Sequence, residues 1–153
     1  MSRIYFFYEE ISFQLPAKKR LRTWIINTIR TEEKTAGEIN FVFCTDAFLL
    51  EINKKYLNHS TLTDIVTFPV NHGFDATTSN KKSNAIEGEI YISIDRVKEN
   101  ALLFKASFIE ELNRVMIHGV LHLCGYMDKN QEQKATMRLK ENFYLDLLAK
   151  NKS

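Results

Sequence analysis

The sequence is poor in the features that mark exported, membrane-bound or repetitive proteins. It holds two cysteines, Cys44 and Cys124, among 153 residues. Two cysteines make no disulfide framework, and a chain of this length does not need one. A reduced, cytoplasmic protein is therefore expected. No window approaches the roughly 18 apolar residues of a membrane span. The opening Met1-Ser2-Arg3-Ile4-Tyr5 has no long apolar run followed by a small-residue cleavage site. There are no internal repeats and no linker. Charge of one sign is also scarce. The formal net charge is +2, too small to argue by itself for a nucleic acid or a membrane surface, so any basic patch must be local. Part of that excess rests on Lys150 and Lys152 in the tail.

What is present is a globular balance, with 44% apolar and 26% charged residues. Eleven Phe, six Tyr and one Trp supply core material. The length suits one domain over residues 1–153. Ile4 to Tyr8 is β-prone. Pro16 opens a helix in which Leu21, Trp24, Ile25, Thr28 and Ile29 recur at helical spacing, with Gly37 at its exit. Ile39 to Cys44 reads as a strand with Phe41 and Phe43 on one face. Asp46 caps a short helix carrying Leu49, Leu50 and Ile52. Ile65 to Pro69 reads as a strand, and the polar stretch from Val70 to Ala85 as a loop. Ile86 to Ile94 alternates strictly, which predicts a strand. Helices follow over about Arg96–Phe104, Ser107–Cys124 and Gln131–Ala149. The expected class is α+β: a small mixed sheet of about four strands packed with about five helices.

The second half of the Ser107–Cys124 helix carries the chemistry. From Val115 to Cys124 every side chain is apolar or small except His118 and His122. A helix apolar on nearly all sides is buried, and burying an unpaired imidazole costs roughly 1–3 kcal/mol or more. Residues four apart stack one turn apart, so both rings can address one ion. A single core histidine would be satisfied by a backbone carbonyl. This pair is followed by Gly125, suited to ending the helix, and by Asp128, a carboxylate able to fold back. The spacing His118-x-x-x-His122-x-x-Gly125-x-x-Asp128 matches the ligand spacing of the extended metzincin motif. Gly119 stands where the metzincin glutamate would, and Asp128 where the third histidine would. Three protein ligands with an open position is the pattern of a catalytic zinc site. One zinc ion held by His118, His122 and Asp128 is the expectation. Gly119 leaves room for substrate or for a neighbouring element.

The run His118-Gly119-Val120-Leu121-His122-Leu123-Cys124-Gly125-Tyr126 resembles the signature of the YbeY family, bacterial single-strand endoribonucleases of rRNA maturation. Asn53-x-x-Tyr56 followed by Leu62-Thr63-Asp64-Ile65-Val66-Thr67-Phe68-Pro69 is similar to that family's second block, and Gly88-Glu89-Ile90-Tyr91-Ile92-Ser93 resembles its third. The likeness runs in the same order over about residues 38 to 145. It implies a metal-dependent hydrolase of single-stranded rRNA, active in 16S 3′-end processing and ribosome quality control, with the small ribosomal subunit as partner. Two positions depart from the family. Asp128 replaces a third histidine, which should make the ion a weaker Lewis acid. Leu57 replaces an arginine, leaving Lys54, Lys55 and His59 as nearby alternatives for a phosphate, or as parts of a solvated loop.

Other residues carry two readings each. Arg114, one turn before His118, reaches a phosphate at the site or ion-pairs with Glu110 or Glu111. Lys18, Lys19, Arg20 and Arg22 track an RNA backbone or form a solvated face. Glu89 and Asp64 are candidates for contacts behind the ligands. Cys124 reads as core, and Met137 as packing rather than a floor to the metal. Three rival functions remain at this level: a metallopeptidase, which the missing glutamate opposes; a non-haem iron oxygenase, from the two-histidine, one-carboxylate set; and a ribosome assembly factor with a structural zinc.

Overall fold

The computed structural model describes residues 3–57, 63–70 and 84–150. Leu62, His59, the polar stretch 71–83 and Lys152 lie outside the described residues. In chain order the elements are β1 (Arg3–Glu9), α1 (Lys18–Thr31), β2 (Thr35–Cys44), α2 (Asp46–Ile52), a π-helical turn (Asn53–Leu57), β3 (Ile65–Pro69), β4 (Ala85–Ser93), α3 (Ile94–Phe104), α4 (Phe108–Leu123) and α5 (Gln131–Lys150). The sheet runs β1-β2-β4-β3. β1 and β4 each pair parallel with β2, and β3 pairs antiparallel with β4. This is the expected α+β arrangement of four strands in a mixed sheet with five helices.

Periodicity explains how the layers meet. Parallel strands need a crossover, and α1 supplies it between β1 and β2. Its stripe of Leu21, Trp24, Ile25, Thr28 and Ile29 is buried, as the spacing predicts. In β4 the alternation buries Ile86, Gly88, Ile90 and Ile92. The inner faces of β2 and β4, with Phe41, Phe43, Ile90 and Ile92, join Leu112, Ile117 and Val120 of α4 in one core. A smaller cluster of Cys44, Leu49 and Val66 packs with Phe48 and Tyr91. Strand alternation puts that cluster on the other side of the sheet. Among the described residues no helix is long and apolar enough to cross a membrane.

Three boundaries differ from expectation. Gly37 does not end α1; it lies inside β2. The helix stops earlier because Lys34 N–H donates to Ile29 O (3.0 Å) and Glu33 N–H to Arg30 O (2.8 Å), a left-handed exit that Glu33 adopts at φ 65° without glycine. Asp46 is not the cap of α2. The Thr45 hydroxyl accepts from Phe48 N–H at 3.1 Å, which frees Asp46 to accept from Ser93 Oγ (2.7 Å) and Arg96 Nε (3.2 Å). Ile94 is the first residue of α3 rather than the last of β4, because Ser93 Oγ caps α3 by accepting from Arg96 N–H at 3.1 Å.

Candidate metal centre

The centre is built on α4, whose placement is fixed at both ends. At the start, Ser107 Oγ accepts from Glu110 N–H (3.1 Å) and Glu110 Oε1 accepts from Ser107 N–H (3.0 Å), a reciprocal capping box. At the end, Tyr126 N–H donates to Leu121 O and Gly125 N–H to His122 O, both at 3.0 Å, with Gly125 at φ 114°. This left-handed turn reverses the chain and brings Asp128 back beside the helix. Midway, Gly119 lets α4 settle on the sheet. A Cβ there would meet Ile90 Cγ2 of β4 at 2.9 Å and Ile65 Cδ1 of β3 at 3.0 Å. The missing side chain thus serves the packing of a neighbouring element, one of the two uses expected of it.

On the side of α4 open to a cavity, the His118 and His122 rings stand 4.6 Å apart, centroid to centroid, at 79°. Asp128 Oδ2 lies 3.2 Å from His118 Nε2 and 3.5 Å from His122 Nε2. One ligand atom from each of the three residues falls within 4.8 Å of the others. Donors each about 2.0–2.1 Å from a tetrahedral ion are about 3.3 Å apart, so the donor set has the span and the chemistry of a three-ligand metal site.

The remaining nitrogen of His118 is held from behind. His118 Nδ1 is 2.6 Å from Glu141 Oε2 of α5, whose side chain is 7% exposed. Glu141 Oε1 accepts in turn from Arg114 Nη1 at 2.9 Å, and Arg114 Nη2 donates to Asn142 Oδ1 at 2.8 Å. Burial works to raise the Glu141 carboxyl, but its bonds to His118 and Arg114 hold it below its ordinary value. Burial likewise disfavours a charged His118, while Glu141, then Asp128 and Asp64, hold the ring above the usual histidine value. A carboxylate on the far nitrogen fixes the tautomer and aims Nε2 at the ligand position.

A cavity of about 570 Å³ opens over this group, lined among others by Asp64, Ile65 and Thr67 of the β3 region, Asn100 and Phe104 of α3, and Lys134 and Arg138 of α5. Asp64 is brought to it. Burial pushes its carboxyl up, and Asn100 Nδ2 donates to its Oδ2 at 3.3 Å. Glu111 also lines the cavity, raised chiefly by burial. Glu89 is not brought there: it lies on the β4 face turned from α4 and accepts from Tyr91 OH at 3.0 Å. Arg114 lines the cavity, but its ion-pair partner is Glu141, not Glu110 or Glu111 as the spacing suggested, because α5 lies alongside and Glu110 is used in the cap. Met137 is 2% exposed and packs in the core while also lining the cavity, whereas Cys124, its thiol pushed up to about 12 by burial, does not line it.

The basic start of α1 divides. Arg20 Nη2 donates to Leu148 O (2.6 Å) and Arg22 Nε to Ile4 O (3.0 Å), which makes both internal ties rather than a free basic face. Lys18 Nζ lies 5.9 Å from the Tyr8 ring. Lys54 pairs with Glu51 at 3.9 Å and Lys55 stands over Tyr56 at 5.4 Å. Leu57 is 40% exposed. None of the described residues Lys54, Lys55 and Leu57 lines the cavity. Glu141 escaped the sequence reading. Its signal was a carboxylate in the stripe Met137, Glu141, Tyr144, Leu148, otherwise the buried face of α5.

A two-histidine, one-aspartate group at the end of a sheet-backed helix, open to a cavity of mixed polar and apolar lining, defines a class of small α+β domains built around a metal-type donor set. The family model described as Endoribonuclease YbeY matches residues 6–149. An "Endoribonuclease YbeY" of Flavobacterium psychrophilum is 48% identical over 141 residues, 92% of this chain and 94% of the relative. One from Amoebophilus asiaticus is 46% identical over 144 residues, 94% of this chain and 92% of the relative. A solution structure from Thermotoga maritima shares the fold, with a TM-score of 0.61 and 24% identity over 97% of this chain and 89% of that one. The chain belongs to the YbeY endoribonuclease family.

Proposed function

We propose that this protein is a zinc-dependent endoribonuclease that cleaves single-stranded rRNA in the cytoplasm, in the 16S 3′-end processing and quality control of the small ribosomal subunit. The observation that carries this reading is the convergence of His118, His122 and Asp128 beneath a cavity lined by the cations Lys134 and Arg138, in a chain whose relatives are named endoribonucleases. His118, His122 and Asp128 would hold one ion. When bound, it supplies charge stabilisation and polarisation at a phosphodiester oxygen.

The protein's own groups do the rest. Lys134 attracts the phosphate backbone into the cavity, beside Arg138, which also pairs with Glu141 at 3.7 Å. Glu141 holds His118 in one tautomer and orientation. Arg114 acts through Glu141, since both of its terminal nitrogens are engaged, rather than by reaching a phosphate itself. Asp64, with its carboxyl pushed up by burial, is suited to carry a proton at the reacting centre. Phosphoryl transfer depends more on positioning and charge stabilisation than on a dedicated base, so Gly119 in place of the metzincin glutamate does not hinder it.

Metal analysis with a single-strand RNA cleavage assay tests the reading. Wild type is expected to carry one zinc and to cleave RNA but not casein. His118→Ala and Asp128→Ala are expected to lose the metal and to slow cleavage roughly a thousandfold. Full RNA cleavage by metal-free His118→Ala would overturn it. A product ending in 2′,3′-cyclic phosphate identifies the RNA 2′-hydroxyl as nucleophile and rules out direct attack by water.

A further inference from the structure

One cavity group is used by nothing above. Phe104 is the last residue of α3 and is 61% exposed, yet it lines the same cavity as His118, His122 and Asp128. Its neighbours Leu102 and Leu103 are exposed too, at 81% and 69%, but do not line the cavity. A ring of this size gains from being covered.

Its position is fixed. Lys105 N–H donates to Leu102 O at 3.3 Å and Ala106 N–H to Ala101 O at 3.0 Å, with Lys105 left-handed at φ 56°. That Schellman motif stops the helix immediately after Phe104. Val97 and Ala101 anchor the same helix in the protein interior. Asn100 lies one turn before Phe104 and lines the cavity as well. On α5, Lys134 and Arg138 repeat the same four-residue step with cationic side chains. One helix thus offers the cavity an aromatic ring, beside an Asn100 amide that donates to Asp64, and the other offers Lys134 and an Arg138 that pairs with Glu141 at 3.7 Å. A path of cations for phosphates beside an aromatic for bases is how proteins hold single-stranded nucleic acid.

We propose that Phe104 is the base platform of this site, stacking on an unpaired nucleobase whose neighbouring phosphate lies over His118, His122 and Asp128. The assignment rests on the ribonuclease reading. It also supplies a cause for single-strand selectivity. A base inside a duplex has both faces covered by its neighbours and cannot take the ring, whereas an unpaired base has a face to give.

The test uses a short single-stranded oligoribonucleotide with one cleavage site, and versions abasic at each flanking position. Cleavage kinetics and binding by fluorescence anisotropy are measured for wild type, Phe104→Leu and Phe104→Trp. Phe104→Leu keeps apolar bulk but loses the π face, and its KM is expected to rise about tenfold with kcat within about twofold. Phe104→Trp is expected to keep the wild-type KM or lower it. One abasic position is expected to cost wild type the same factor and to cost Phe104→Leu nothing further, with metal content unchanged throughout. A wild-type KM in Phe104→Leu, or abasic and Leu effects that multiply, overturns the platform. Cleavage that ignores Phe104 removes the platform and leaves the ribonuclease reading intact. Binding that depends on Phe104 and on one base, without cleavage by wild type, removes the nuclease and supports the platform. Neither binding nor cleavage by wild type overturns both.

Discussion

Glu141 and Glu32 are both carboxylates sunk against α5, with side chains 7% and 9% exposed, but their partners are of different kinds. Glu32, just past α1, accepts from Tyr126 OH (2.7 Å), from Lys140 Nζ (3.1 Å) and from Tyr144 OH. The cluster ties the end of α1 to the turn after α4 and to α5. Glu141 takes Arg114 on one oxygen and His118 on the other, and the far nitrogen of that histidine faces Asp128. Both carboxyls are raised by burial and then held below their ordinary value by hydrogen bonds. Burial and the direction of a pKa shift therefore do not separate a structural carboxylate from a functional one. The separation comes from where the chain of partners leads. From Glu32 it closes on phenols and an ammonium. From Glu141 it leads to an atom of the candidate metal group beneath a cavity.

The comparison can be broken most readily at Glu141. Glu141→Gln is expected to lower metal affinity about 10–100-fold, the usual cost of losing the carboxylate behind a ligating histidine, whereas Glu32→Gln leaves affinity unchanged. Metal titration of the two variants side by side checks this, and an equal loss in both would erase the distinction.

Stability should show the reverse emphasis. Glu32→Gln removes a charge-assisted set of hydrogen bonds and is expected to cost about 1–2 kcal/mol, or roughly 3–6 °C in thermal midpoint. The effect has a pH window. Because the folded Glu32 carboxyl titrates below its ordinary 4.5, its contribution is fully present above that value. It is lost as pH falls through the lowered folded value. Wild type and Glu32→Gln should differ at pH 7 and converge in acid, and a difference that grows on acidification would contradict the assignment. The smallest effect is expected at Ser107→Ala, which opens the cap of α4 at about 1 kcal/mol and leaves metal affinity untouched. Calorimetry with a metal titration separates that loss from a change at the site.

The site was legible in the sequence where it is local. His118 and His122 are four apart on one helix, Gly125 permits the turn, and Asp128 is within reach of it, so short-range geometry brings the three together. Strand β4 was legible because its alternation is regular, and α1 because its buried stripe has no interruption. The helix ends were less so. The exits of α1 and α3 use Glu33 and Lys105 in the left-handed region, and no glycine announces them. Glu141 was hidden for a different reason. It is 23 residues beyond His118, and its meaning depends on which face of α5 meets α4.

The sequence alone determined the candidate donor set and the pattern of buried faces, because both depend on spacings of a few residues along one helix or strand. Only the tertiary structure decided what stands behind and around that set. The carboxylate on His118, the commitment of Arg114 and the ring of Phe104 at the cavity come from separate helices. Their relation is set by how α3 and α5 pack on α4, a long-range outcome that no local spacing encodes.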